Sequence, residues 1–292
     1  MKSLSRDQAT YAYSRFDRPV LEVSPGETIR VETEDALGAT FRAPEDIAPE
    51  GFARLTYPLT GPIHVRGAEP GDTLAVRVDD IELSDQGVVL YRGGGGVLKD
   101  WMSGHAGRIV AIKDGYVHFD QAIKIPVRPM IGKIGTAPAL EVIRTSTPGV
   151  HGGNMDCPEL TVGSTIYLPV EVAGGLLAVG DVHAAMGDCE VCGTGVETRA
   201  RLTLTIDLRK GRPAAMTWPR VETADAIMTL AAARPLDEAL YLAVKDMVLW
   251  LEEEYGFERA DAYLLLSLAG HARPGNWFTG YCLLPRAYLP RK

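Results

Sequence analysis

Apolar and polar residues alternate with period two along much of the first two hundred positions, and beyond position 221 the period lengthens to three and four. The alternation is clean at 28–33 (TIRVET) and 73–79 (TLAVRVD), as expected of strands with one buried face. A Pro-Gly turn feeds each: Ser24-Pro25-Gly26-Glu27 and Glu69-Pro70-Gly71-Asp72. Proline presets φ there and glycine accepts the left-handed region. The two runs resemble each other, which an internal duplication and a common way of starting a strand explain equally well. Further strands are predicted over 88–91, 107–113, 115–119, 164–170, 176–179 and 198–208.

In the C-terminal quarter Leu236, Leu240, Val244, Met247, Leu251 and Tyr255 recur every three to four positions. That spacing predicts an amphipathic helix of about five turns. Pro235 suits its first turn, Gly256 its C-cap, and Glu252-Glu253-Glu254 its solvent side. Residues 223–233 and 260–269 read as shorter helices, and 281–289 as a returning strand that ends at Pro290. Strands followed by helices predict a mainly-β chain, sandwich- or barrel-like, with a C-terminal helical segment, within the α+β class. No linker composition divides it. Residues 1–215 are therefore expected to form a mainly-β core carrying the site, and 216–292 a helical segment and C-terminal strand packed on it as one integrated domain.

Charge narrows the partners. A net charge of −8 argues against nucleic acid and against an anionic membrane surface. No run approaches the roughly 18 apolar residues of a spanning helix, and the opening MKSLSRDQATYAYSRFDRP lacks the apolar core of a secretory signal. Four cysteines in 292 residues suggest reduced thiols in a cytoplasm.

The chemistry gathers in 151–197, which holds two of the six histidines and three of the four cysteines. Two clusters carry it: His151-Gly-Gly-Asn154-Met-Asp156, and Gly180-Asp181-Val-His183-Ala-Ala-Met-Gly-Asp188-Cys-Glu190. Flanking glycines let the backbone bend close to an ion or ligand. His151 lies in a loop with no apolar face to serve. Asn154 and Asp156, two apart, either reach one ion from a turn or cap the turn that follows. Asp181 and His183 end the apolar run LLAV two apart, so an extended backbone projects both to one face. They form either a pair of metal ligands or a metal-free Asp–His pair. Asp188 and Glu190 repeat the spacing, suggesting one ligand and one proton carrier. Glu197 reads as structural. Mixed imidazole and carboxylate donors between glycines make a divalent metal site with an open position, for which Zn²⁺ fits best and Ca²⁺ or another ion stays open.

Cys189-Glu-Val-Cys192 has the spacing of a zinc or redox motif, but it lacks a second cysteine pair and an activating helix N-terminus. Cys192 as a thiolate nucleophile beside His183 is the stronger cysteine reading. Gly93-Gly94-Gly95-Gly96 matches no phosphate loop or dinucleotide fingerprint, and reads as a mobile loop over the cleft or a plain turn. His105 is a weaker candidate for the same cleft.

At these clusters the chain resembles the acetamidase/formamidase family. The likeness rests on HGGNMD (151–156), LTVGSTIYLPV (160–170), GDVHAAMGDCEVCG (180–193) and LTGPIHVRGAEPGDTL (59–74), with weaker matches at IGKIGTAPA (131–139) and AYLLLSLAGHAR (262–273). It implies a mainly-β fold with a C-terminal helical part, a homodimer or higher homo-oligomer, and hydrolysis of short amides to carboxylate and ammonia. It also associates metal with the HGGN and GDxHA regions. The metal would then rest on His151, Asp156, Asp181 and His183, with Glu190 as base and Asn154 or a backbone N–H of 152–153 on the oxyanion. Cys189 stands where the family has glycine, and His271 where it has aspartate. The region before Pro19 lacks the expected histidine, and PGNWFTGYC after Arg273 diverges. Alternatives at this point are a cysteine-dependent amidase using Cys192, a non-catalytic metal- or ligand-binding β-domain, and hydrolysis of a larger amide or ureide.

Overall fold

A computed structural model describes residues 1–47 and 56–290. Among them two large sheets, of nine and eleven strands, face each other. Leu74, Val76, Leu202 and Leu204 of one sheet and Ile63, Ile131, Leu177 and Val179 of the other share a single apolar cluster. The alternating segments became half-buried strands as the pattern predicts. Glu27–Thr33 and Thr73–Leu83 flank Ala200–Arg209 in the nine-stranded sheet, which places the two similar Pro-Gly-strand units on either side of one strand.

Met130–Gly135 and Leu177–His183 are different. Every residue in both is buried, and they pair antiparallel inside the eleven-stranded sheet. A polar side chain on such a strand loses water on both faces, so it persists only if other polar groups meet it. Lys133, Asp181 and His183 lie on these two strands.

The C-terminal part supplies helices and strands together. Helix α1, Leu236–Tyr255, ends on Gly256 at φ 71°, the left-handed cap its sequence announces; Pro235 is the N-cap residue just outside the first turn. Helix α2 spans Arg259–Ala269. Residues 223–233, expected as a helix, instead contain the strand Ala226–Ala232, which pairs with Arg220–Glu222 and Thr279–Pro285. Its sequence, AIMTLAA, is rich in helix formers, but both its faces are buried. A fully buried strand shows no alternation, so period alone cannot separate it from a buried helix. Covering comes from Met247, Trp250 and Leu251 of α1, packed with Ile227, Ala231, Cys282 and Leu284. The final strand stops at Pro285 and a 3-10 turn, Arg286–Tyr288, follows, so the expected run to 289 is shorter. No helix among the described residues is long and apolar enough to cross a membrane.

Candidate active site

His183 is the hub. Its Nε2 lies 3.3 Å from Asp181 Oδ1, 3.2 Å from Glu197 Oε2 and 4.0 Å from Glu190 Oε1. Two apart on one strand, Asp181 and His183 meet directly. Glu197 arrives by register, since its Cα pairs with that of His183 across the sheet. Lys133 comes from the other neighbouring strand and sets Nζ 3.2 Å from Asp181 Oδ2. Asp156 completes the group, its Oδ2 accepting from Asn276 Nδ2 at 2.8 Å. Potential ligand atoms of Asp156, His183 and Glu190, and of Asp181, His183 and Glu197, each gather within 4.8 Å.

Glycine makes this approach possible. Gly132 stands opposite Asp181, between the pairs Ile131↔Val182 and Lys133↔Gly180. A β-carbon on it would lie 2.4 Å from Asp156 Oδ1 and 2.5 Å from Asp181 Oδ2. Gly195 likewise leaves room for the imidazole, as its β-carbon would lie 2.7 Å from His183 Nδ1. The backbone is strained around the same groups: Asp156, Asp181, Cys189 and Glu190 hold φ of 49°, 59°, 73° and 44°. Such conformations cost of order 1–3 kcal/mol each and cluster at sites of function.

Charge is unbalanced. Four buried carboxyl groups face one ammonium and one imidazole, so at most two of them can ionise against a counter-charge supplied by these side chains. Burial raises Asp156 to about 6, with the Asp181 charge adding to it. Burial likewise lifts Glu197 to about 7, against the pull of His183. Glu190 is pushed well above the carboxylate range by burial and then by Asp156. Burial acts the same way on Asp181, but Lys133 and His183 outweigh it and hold Asp181 ionised. His183 is raised despite burial, because Glu197 and Asp181 stabilise its cation. Asp156 Oδ1 is buried and has no hydrogen-bond donor. An orphaned carboxylate oxygen, an excess of buried acid and a cradle that a methyl group would fill together fit a divalent cation on oxygen and imidazole donors.

A cavity of about 240 Å³ opens onto this group, lined by Lys133, Asn154, Asp181, Glu190 and Glu197, with Tyr57, Arg234, Trp277 and Phe278 among its other walls. Asn154 thus reaches the cavity from the strand Gly152–Asn154. One expected residue, Asp188, goes elsewhere, and His151 is not among the gathered ligand atoms. Asp188 is two-fifths exposed and grips the Arg273 guanidinium, with contacts of 2.7–2.9 Å. The i, i+2 expectation assumed extended backbone, whereas a 3-10 turn, Asp188–Glu190, with Cys189 left-handed, sends the two acids apart. His151 is buried but absent from the gathered ligand atoms. Its ring meets Tyr13 edge-on at 4.8 Å, and burial lowers it to about 4, leaving it neutral.

Lys133, Glu197 and Asn276 were not singled out as site residues. Lys133 lies within the IGKIGTAPA resemblance, which is its sequence signal; Asn276 sits in the divergent PGNWFTGYC segment and has none. Cys192 Sγ meets Leu90 O and Thr194 O at 3.5 Å and has no imidazole contact among the described residues. The glycine run supports the Glu190 turn from outside: Gly96 packs on Val191 and Cys192, and Val97 N donates to Val191 O at 2.9 Å. His105 lines a separate cavity with Arg108 and Phe119.

The left-handed φ of Cys189 (73°) explains why glycine suits that position. Cys189→Gly is expected to stabilise the protein by about 1 kcal/mol, read as a higher midpoint in urea with an unchanged slope. An unchanged midpoint would show the turn to be unstrained.

The family model described as Acetamidase/Formamidase family matches residues 2–146 and 139–274. The recombinant predicted acetamidase/formamidase of Thermoanaerobacter tengcongensis has a crystal structure similar to this chain, with TM-score 0.93 and 38% identity over 98% of this chain and 96% of that one. The acetamidase of Bacillus halodurans gives TM-score 0.93 and 35% identity over 98% of both chains. Among curated proteins the formamidase of Methylophilus methylotrophus is 27% identical over 256 residues, 66% of this chain. The chain spans 62% of that relative's length.

Proposed function

The chain belongs to the acetamidase/formamidase family, and from that premise we propose that it is a metal-dependent hydrolase of short-chain amides, releasing carboxylate and ammonia. The observation that carries the reading is the buried cluster of four carboxylates around His183 at the floor of a small cavity. Asp156, Asp181 and His183 would hold the ion, with Glu197 beside them at the same Nε2 of the imidazole. A divalent cation there supplies two things an amide needs, polarisation of a resonance-stabilised carbonyl and a bound water acidic enough to lose its proton near neutral pH.

The chain's own residues do the rest. Glu190 lines the cavity and burial raises its proton affinity, which suits a group that takes a proton from water and returns it to departing ammonia. Asn154 presents a side-chain amide to the cavity and orients the developing oxyanion. Lys133 stays cationic, since the four surrounding acids outweigh its burial, and it holds Asp181 ionised. At about 240 Å³ the cavity falls below the roughly 300–1,000 Å³ of drug-sized pockets, which favours small amides. We place the enzyme in the cytoplasm as a homodimer or larger assembly, consistent with apolar Tyr241, Tyr263, Leu264 and Leu268 on the exposed helical face.

Ammonia release across a panel of short amides, run beside metal analysis, tests the reading. A chelator is expected to abolish turnover, while Cys192→Ser retains most of it, because that thiol meets only neutral oxygens. His183→Ala is expected to lose metal and hydrolysis together. A dead Cys192→Ser beside an active, metal-free His183→Ala would establish a thiol nucleophile instead.

A further inference from the structure

Arg234 stands in the turn between the strand Ala226–Ala232 and α1, on the wall of the same cavity that exposes Glu190 and Asn154. Its guanidinium carbon lies 4.6 Å from the Trp277 ring centroid and 4.5 Å from that of Phe278. Those rings meet edge-on, 4.8 Å apart at 87°. The five N–H donors of a guanidinium lie in its plane, and the two rings hold the side chain by its cation. Among the described residues no carboxylate lies within 4.0 Å of it and no acceptor takes its hydrogen bonds.

Other arginines near acids behave differently. Arg273, Arg199, Arg212 and Arg286 each carry a carboxylate at 2.5–2.9 Å. Arg234 is the arginine on this cavity's wall, exposed and with no acid of its own among the described residues. The cavity floor adds a contrast: its acids serve Lys133, His183 and the proposed cation, so they repel a substrate anion from the depth and leave the mouth to receive it. Arg234 lies within the family match and Trp277 and Phe278 lie just beyond its end at residue 274.

We propose that Arg234, held by Trp277 and Phe278, is a carboxylate-binding subsite, and that the preferred substrates are half-amides of short dicarboxylic acids. This rests on the amide-hydrolase reading and names its substrate class. The scissile amide lies at Glu190 and the distal carboxylate meets the in-plane fork of Arg234, a geometry that guanidinium and carboxylate match bidentately. Water adds to the carbonyl, the C–N bond breaks, and the products are the dicarboxylate and ammonia, with no redox partner needed.

Rates for malonamate, succinamate and glutaramate, each against the neutral amide of equal length, test the subsite. At least one half-amide is expected to exceed its neutral counterpart in kcat/KM by about fivefold to tenfold, the scale of one charge-assisted contact at an exposed site. Arg234→Gln should bring that ratio to about one, and Arg234→Lys, which keeps charge without the fork, should restore only part of it. Direct titration with succinate supplies a readout independent of turnover: the wild type binds and Arg234→Gln binds at least about fivefold more weakly. Hydrolysis of neutral amides with no preference for half-amides overturns the subsite and leaves the hydrolase reading standing. Arg234-dependent succinate binding without ammonia from any amide does the reverse. Neither binding nor turnover overturns both.

Discussion

Glu190→Gln is expected to lower kcat for amide hydrolysis by about 10²- to 10⁴-fold while fold and metal content survive. Glutamine keeps the shape and the carbonyl oxygen but carries no transferable proton. Glu190 sits on the turn Asp188–Glu190, 8% exposed, with its carboxyl on the cavity and Oε1 4.0 Å from His183. Burial and the Asp156 charge raise its proton affinity. The same shift has a stability consequence. A carboxyl that binds its proton more tightly when folded costs stability wherever the unfolded chain would already have lost that proton, above about pH 4.3. Metal-free Glu190→Gln is therefore expected to melt at a higher temperature than the metal-free parent at pH 7, and the gain should vanish below about pH 4. Enzyme that turns over at the parental rate would move the base to Asp156 or Glu197, the other raised carboxyls of the cluster.

Gly132→Ala is expected to be damaging as well, although it adds one methyl group and removes no polar atom. The new β-carbon would lie 2.4 Å from Asp156 Oδ1, 2.5 Å from Asp181 Oδ2 and 2.9 Å from the Asp181 carbonyl oxygen. Neither acid can step aside cheaply. Asp181 is fixed by Lys133 and His183, and Asp156 by Asn276, whose amide bridges it to the Asn154 carbonyl. Overpacking at such a point costs about 1–3 kcal/mol. Displaced ligands should reduce metal affinity and activity by about 10- to 100-fold, the scale for disturbed support of a metal site. Metal content, ammonia release and a urea melt on one preparation distinguish the outcomes. An alanine variant that keeps metal and turnover would show that Asp156 and Asp181 do not act on a shared ion.

Local pattern carried much of the architecture. Period two announced Glu27–Thr33 and Thr73–Leu83, and period three to four announced α1 with its glycine cap. Spacing along one strand predicted Asp181 beside His183, since i and i+2 share a face on extended backbone, and the two side chains do meet although Asp181 itself is left-handed. Where both faces are buried that code goes silent. Ala226–Ala232 reads as a helix until Arg220–Glu222 and Thr279–Pro285 pair with it.

Which groups join Asp181 and His183 was decided by the tertiary structure. Glu197 enters through antiparallel register fourteen residues away, Lys133 from the preceding central strand, and Asn276 from 120 residues beyond Asp156. Asp188, adjacent in sequence to the working groups, was drawn off by Arg273, 85 residues distant. His151 packs edge-on against the Tyr13 ring with both ring nitrogens unpartnered. A residue's type and its neighbours along the chain specify what chemistry it can offer. Whether it is offered at the site depends on strand register and on left-handed turns such as Cys189, and these are set by burial and pairing between segments far apart in sequence.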